Sequence, residues 1–368
     1  MLTGCGSDDD DDGGDSGTTN DDLQNALASI VSDPDGPVGV ITVVDTGDEV
    51  SVHTAGTVSV DSSEAPGSGD HMRIASLAKA FTAAVAYTLV EDGVLSLDDT
   101  VGKWRPDLPA AWKDITLAEV MNHTGGVPDF GGNPAFGEAV GESPTVAPEP
   151  TAIVAFAGQG VDFPAGSKYQ YSNTGPFVTA LIIESATGMP FREVLGQQVL
   201  DPLGMKDTTL PANDDPTVPA PTFAGYDPGE DGEPEDVTEV VNFGGWAWSS
   251  GGIVSTPDDL TKFVQGYVGG DLITGATRDA QFEFFGEGNS EPRGPGDNRV
   301  GKGMFEYTTR CGTVYGHSGS VFGYTQYMAA SEDGTKSVTF TINTQYGDEL
   351  LPKIRAAEEL AICEAFGK

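Results

Sequence analysis

Residues 76–93 read SLAKAFTAAVAYTLVEDG. Alanine and leucine dominate, proline is absent, and Gly93 stands where a left-handed residue ends a helix. The stretch Ser76 to Asp92 therefore predicts one strong helix. Its first turn holds Ser76 and Lys79, three residues apart and so on one face, which lets the lysine amine reach the serine hydroxyl. A serine hydroxyl is a weak nucleophile and requires a base beside it. A lysine can be that base only if burial or a neighbouring charge draws its pKa down from about 10.4. The helix N-terminus aims partial positive charge at the same point and favours an anionic intermediate there. Such a Ser-x-x-Lys spacing also arises by chance roughly 0.6 times in a chain of this size, so its meaning depends on what surrounds it.

Upstream, Asp21-Asp22 cap a predicted helix running to about Ser32, with Leu23, Leu27, Ile30 and Val31 on one face. Val38–Val44 and Val50–Val60 read as a β-hairpin. Downstream, from about residue 95 to 240, short helices (Leu117–Asn122, Thr151–Ala157, Gly175–Ala186, Phe191–Val199) alternate with Pro- and Gly-rich loops. Then Pro257–Val268 reads as a helix with proline at its start. Val300–Tyr307, Thr313–His317, Val321–Ala330 and Ser337–Asn343 read as strands, and a last helix covers about Glu349 to Ala365. There is no internal repeat. Strands open and close the chain and a mostly helical stretch interrupts it. The expectation is an α/β domain over 21–368, its sheet completed by both chain ends, with a cleft against an inserted lobe where small molecules bind.

Two further motifs carry chemistry. Tyr171-Ser172-Asn173 follows Phe163-Pro-Ala-Gly in a loop before a helix. A phenol beside a lysine can pass protons, and an amide two residues on can hold substrate and lysine. His317-Ser318-Gly319-Ser320 lies at the end of a predicted strand. A glycine there lets a substrate backbone approach closely and pair as an added strand. The N–H groups of Ser76 and Ser320 would then form an oxyanion hole. Each motif has an ordinary alternative as a turn or cap, but the three in this order arise by chance in about one chain in a hundred. His123-Thr124-Gly125 repeats the short third pattern, follows a helix, and reads as a helix-ending loop.

Ser76-x-x-Lys79, Tyr171-x-Asn173 and His317-x-Gly319 resemble the three motifs of the class C β-lactamase and DD-peptidase family of penicillin-recognising serine hydrolases. The likeness runs from about residue 21 to the end. It is strongest toward the soluble D-alanyl-D-alanine carboxypeptidase/transpeptidase branch, whose third motif is His-Thr-Gly. Matching text includes Arg73-Ile-Ala-Ser-Leu-Ala-Lys79, Leu117-Ala-Glu-Val-Met-Asn-His-Thr-Gly125, Ser250-Gly-Gly-Ile-Val-Ser-Thr256 and Cys311-Gly-Thr-Val-Tyr-Gly-His-Ser-Gly319. The resemblance implies a five-stranded antiparallel sheet flanked by helices, with an inserted all-helical lobe. It implies that Ser76 forms an acyl-enzyme, that Lys79 and Tyr171 handle protons, and that Asn173, Trp246, His317, Ser318, Gly319 and Ser320 bind substrate. Which of Lys79 and Tyr171 is the base stays open, as does a purely structural role for Trp246.

The activity implied is hydrolysis of D-amino-acid peptides, β-lactams or related esters, foremost as a D-alanyl-D-alanine carboxypeptidase-like enzyme. An esterase, a D-amino-acid amidase or a β-lactamase is the alternative, and a catalytically weak penicillin-binding receptor another. One departure weighs on the first reading. Where the peptidase branch places an arginine for the substrate carboxylate, this chain has Phe305, and a bidentate arginine is hard to replace. Weak action on D-Ala-D-Ala peptides relative to esters is expected, unless Arg299 or Arg310 takes over. The resemblance also implies a disulfide between Cys311 and Cys363. An odd cysteine count in a secreted chain then leaves Cys5 for another use.

Composition excludes other classes. With 57 acidic and 18 basic residues, a formal charge of −39 argues against nucleic acid or anionic lipid as partner. Three scattered cysteines and four histidines without ligand spacing argue against a metal, and no cofactor is expected. Leu2-Thr-Gly-Cys5 is similar to a lipobox, and the Asp-rich run to residue 20 reads as a disordered tether. The expectation is a secreted, monomeric enzyme held outside the cell by a lipid on Cys5, acting on small-molecule or peptide substrates and acylated by β-lactams.

Overall fold

The computed structural model describes residues 16–229, 232–286, 294–347 and 349–368. Cys5 and the Asp-rich run up to residue 15 lie outside them. The first helix, α1 (Ser16–Val31), starts five residues before Asp21.

A seven-stranded sheet organises the molecule. Its strands are β1 (Gly39–Asp45), β2 (Val50–Gly56), β3 (Asp297–Val300), β4 (Phe305–Thr309), β5 (Gly312–Val321), β6 (Tyr324–Ala330) and β7 (Ser337–Ile342). They lie in the order β2-β1-β7-β6-β5-β4-β3, and every neighbouring pair is antiparallel. The two chain ends meet inside the sheet, where β1 pairs β7 from Val40↔Ile342 to Asp45↔Ser337. Alternation along β1 sends Val40 and Val44 to one face and Ile41 to the other. The first face packs on α1 and the closing helix, through Leu23, Leu27, Ile30, Ile354, Ala357 and Ala361. The second packs on the helices that carry the site.

The sheet has two strands more than the five expected from the resemblance. One comes from the run Val300–Tyr307, which reads as a single strand but folds into the β3–β4 hairpin, with Val300 opposite Phe305. The turn places Gly303 at φ +84°, against the helix that follows Ser76. A Cβ at Gly303 would fall 2.0 Å from that of Ala83, so the chain turns there as only glycine allows. The boundary between the next two strands also moves. Thr313–His317 extends to Val321, because the turn sits at Phe322-Gly323 and Gly319 pairs Gln326 across β5 and β6. The third motif is thus inside a strand rather than at its end.

On the second face, α2 (Ala78–Glu91) lies in the core, its Phe81 ring stacked at 3.6 Å on Phe263. The lobe beyond it includes α3 (Leu117–Met121), started by a reciprocal cap between Thr116 and Glu119, and α4 (Thr174–Thr187), ended by Gly188 at φ +70°. The lobe is not wholly helical: Tyr226–Pro228 pairs Pro234–Asp236. Then α5 (Pro257–Gly269) returns to the sheet and α6 (Leu351–Ala365) closes the chain. Arg73 ties the lobe to the nucleophile's segment. It is fully buried, with Nε donating to the Thr238 carbonyl at 2.9 Å and Nη2 to that of Pro216. Cys311, just before β5, faces Cys363 in α6 with Cα atoms 5.0 Å apart, a separation that a disulfide spans.

Candidate active site

Ser76 does not begin the long helix, as its sequence suggests. It lies in a 3-10 turn, Ala75–Leu77, just ahead of α2. Ala75 holds φ +51°, a left-handed conformation that costs a residue with a Cβ roughly 1 kcal/mol or more. That bend half-exposes Ser76 at the mouth of a cleft while Lys79 stays buried. Backbone strain at the nucleophile was not legible in an Ala-Ser pair.

Lys79 Nζ stands 2.9 Å from Ser76 Oγ and donates to the Ser250 carbonyl at 2.8 Å. Burial strips water from the ammonium and draws its pKa down to about 7, against a smaller opposing pull from Asp129. Tyr171 places its ring centroid 5.0 Å from Nζ, and its hydroxyl is buried. Burial raises the phenol well above its ordinary range, an effect that Ser76 offsets only in part. The two candidates for the base therefore separate. Near neutral pH the amine loses its proton readily, whereas the phenol keeps its own.

Asn173 is fixed by Asp129, whose carboxylate accepts from the Asn173 backbone N–H at 3.2 Å and from Nδ2 at 3.1 Å. His123 ends α3 at φ +60°. Its Nδ1 accepts from the Ser172 N–H at 3.3 Å and its ring lies 4.6 Å from that of Tyr171. The helix-ending loop read from the sequence is thus also the bed of the second motif. From β5, Gly319 lies so close to the nucleophile that a Cβ there would fall 2.7 Å from Ser76 N. His317 is buried, with Nδ1 donating to the Ser318 carbonyl and its ring 5.0 Å from Phe305. Burial, with Lys79 nearby, lowers the pKa of both His123 and His317 to about 3.

The open cleft beside Ser76 has a volume of about 410 Å³. Of the expected binding residues, Asn173, Trp246 and Ser320 line it, whereas His317 and Ser318 lie buried behind it. Trp246 has both roles weighed for it: it is buried, donates to the Ser143 carbonyl at 2.9 Å and forms part of the wall. The wall also includes Phe130, Phe136, Val140, Phe243 and Phe322, which sequence reading did not single out. Among the described residues no charged side chain lines the cleft. Arg299 pairs Glu306 at 2.7 Å and Arg310 pairs Glu359 at 3.1 Å. Phe305 is buried in the core beneath the sheet, so an arginine placed there would be buried too. Among the described residues, no cluster of three or more His, Cys, Asp or Glu could hold a metal ion.

The geometry has close relatives. The chain is 26% identical over 336 residues to penicillin-binding protein 4* of Bacillus subtilis, covering 87% of this chain and 71% of that one. It superposes on a D-stereospecific amidohydrolase from Streptomyces sp. with a TM-score of 0.80 and 27% identity, over 91% of this chain and 97% of the other. A D-amino acid amidase from Ochrobactrum anthropi, complexed with L-phenylalanine, gives a TM-score of 0.78 at 27% identity, over 95% and 98%. The Beta-lactamase family model matches residues 23–361, and the chain belongs to that family of serine hydrolases.

Proposed function

We propose that this protein hydrolyses amides and esters of amino acids that carry a large apolar side chain on the acyl group, through an acyl-enzyme on Ser76. The observation behind this is the cleft, aromatic on several sides and without a charged side chain among its described lining. Such a wall removes apolar surface from water at about 25 cal/mol per Å² and offers nothing to a free carboxylate. A carboxypeptidase reading requires a cation for the free carboxylate, and the described lining of the cleft supplies none. The names of two relatives, a D-stereospecific amidohydrolase and a D-amino acid amidase, favour the D configuration at the α-carbon of the acyl group.

In this reading neutral Lys79 takes the proton of Ser76 Oγ as that oxygen attacks the carbonyl carbon. The N–H groups of Ser76 and Ser320 receive the developing oxyanion. The ladder between β4 and β5 stops at Phe305↔Gly316, so the acyl backbone can lie along β5 from His317 to Val321. Tyr171, still protonated, donates its proton to the departing amine or alcohol and recovers one through Lys79. Water then deacylates Ser76 by the same path in reverse.

The test is a panel of D- and L-phenylalanine amide, a p-nitrophenyl ester, a D-Ala-D-Ala peptide and a penicillin. The D-phenylalanine amide should exceed the D-Ala-D-Ala peptide in kcat/KM by at least about tenfold. Preference for the free-carboxylate peptide would sink this reading in favour of a carboxypeptidase.

We further propose that the protein works outside the cytoplasm, lipidated on Cys5 and bridged between Cys311 and Cys363. Titration of the unlipidated, denatured, unreduced chain should find one reactive thiol. Three would refute the bridge and weaken the case for secretion.

A further inference from the structure

Lys79 borders a second space that Ser76 does not reach. It is a small cavity of about 10 Å³, lined by Lys79, Thr82, His123, Thr179 and Gly303 among others. That volume is at the threshold for one water molecule, which also requires two or more polar partners. The polar groups around it are unequally engaged. Thr82 Oγ1 already donates to the Ser249 carbonyl at 2.7 Å. Lys79 has two partners, Ser76 and the Ser250 carbonyl, and an ammonium has three N–H groups. His123 accepts through Nδ1, which leaves its other ring nitrogen to carry the proton of the neutral imidazole.

Thr179 is the exception. Its Oγ1 is buried and has no hydrogen-bond partner among the described residues. The same helix shows what a satisfied hydroxyl does: Ser185 and Thr187 donate back to the carbonyls of Leu181 and Ile183. A buried hydroxyl without a partner is costly, and valine would fill the same volume without that cost.

We propose that this cavity binds one internal water, held by Thr179 Oγ1, Lys79 Nζ and His123, and that Thr179 is thereby a positioning residue for the base. The water oxygen accepts the third N–H of Lys79. A charged ammonium donates a stronger hydrogen bond than an amine, so the water stabilises the protonated form and limits how far burial depresses the lysine. The titratable groups facing Lys79 are Tyr171 and Asp129 from the loops before α4, His123 from the end of α3 and His317 from β5. Lys302, beside Gly303, is paired to Glu283 at 2.9 Å.

The coupling rests on Lys79 being the base, and two experiments keep the failures apart. The first is a high-resolution crystal structure of the protein and of its Thr179→Val variant. It should show a water within hydrogen-bond distance of Thr179 Oγ1 and Lys79 Nζ, lost in the variant. An ordered wild-type site without that water overturns the proposal, whatever the base is. The second is the pH profile of kcat/KM for an ester. Thr179→Val should move the ascending limb to lower pH by about half a unit or more, and Thr179→Ser should leave it in place. A limb equally placed in wild type and Thr179→Val overturns the positioning role. A wild-type profile with no limb near neutrality removes Lys79 as the base and the coupling with it, while the water site stands or falls on its density.

Discussion

The floor of the cleft and its wall are built on opposite principles. The floor, Ser76, Lys79, Tyr171, His123 and Asn173, is polar and mostly buried, and its members hold one another: Lys79 by Ser76 and Ser250, Asn173 by Asp129, the Tyr171 segment by His123. The wall, with Phe130, Phe136, Phe243, Trp246 and Phe322, is apolar and held by ring contacts, Phe136 lying 4.8 Å from Phe130 and 5.7 Å from Trp246. Low dielectric on the floor changes protonation states; apolar area on the wall changes which acyl group is bound. Damage to the floor should therefore appear in the rate for every substrate, and damage to the wall in the preference among substrates.

The most severe break is at the nucleophile. Ser76→Ala should lower turnover by about 10⁴-fold or more on amide, ester and β-lactam alike, and abolish the mass adduct left by a penicillin. A full-sized adduct on this variant would move the nucleophile elsewhere. Next comes the base. Its pKa in the folded protein is lowered to about 7, and the reactive form is the deprotonated one, so activity is present above that pH and lost below it. Between pH 7 and pH 5, kcat/KM should fall about fiftyfold. His123 and His317, held near 3, add no limb of their own in that interval. A flat profile would contradict the neutral amine. Tyr171→Phe should cost at least about 10²-fold, more for an amide than for a p-nitrophenyl ester, whose leaving group requires no proton. Equal losses on both would place Tyr171 before leaving-group departure.

Most of the floor was legible in the sequence because each motif lies on one short element, where spacing sets geometry. Ser76 and Lys79 lie three residues apart where the 3-10 turn runs into α2, and Tyr171 and Asn173 share a loop. Gly319 follows His317 along a strand. Asp129 and the Ser250 carbonyl belong to other segments and are brought in only by folding, and the left-handed turn at Ala75, beside the nucleophile, has no signature in the local sequence. The wall was hardly legible. Phe130 and Phe136, Phe243 and Trp246, and Phe322 come from three parts of the chain, and an aromatic residue reads the same in a core as in a cleft. The order of the fold followed from strand-rich ends around a helical middle. What escaped was the β3–β4 hairpin, because the glycine that turns it answers to Ala83, about 220 residues earlier, and not to its neighbours.

The wall is the place to sharpen the comparison, and there the effects are smallest. Phe136 stands on a helix, Pro134–Glu142, with no buried residue of its own, and Phe322 is 52% exposed at the β5–β6 turn. Phe322 can be cut back without opening a core, and Phe136, only partly buried against it, opens less than Trp246, whose loss would also cost about 3–5 kcal/mol of stability. Phe136→Ala removes a ring packed among three others and should lower kcat/KM for a D-phenylalanine substrate about tenfold. Phe322→Ala removes a ring that only partly covers the substrate and should cost about 1 kcal/mol, or fivefold. In both, the loss should shrink or vanish for the D-alanine analogue, whose methyl group cannot reach the wall, and the pH limb near 7 should stay where it is. A loss shared equally by the phenylalanine and alanine substrates would mean that the wall supports the floor after all. The division between catalysis below and selection above would then fail at these two residues.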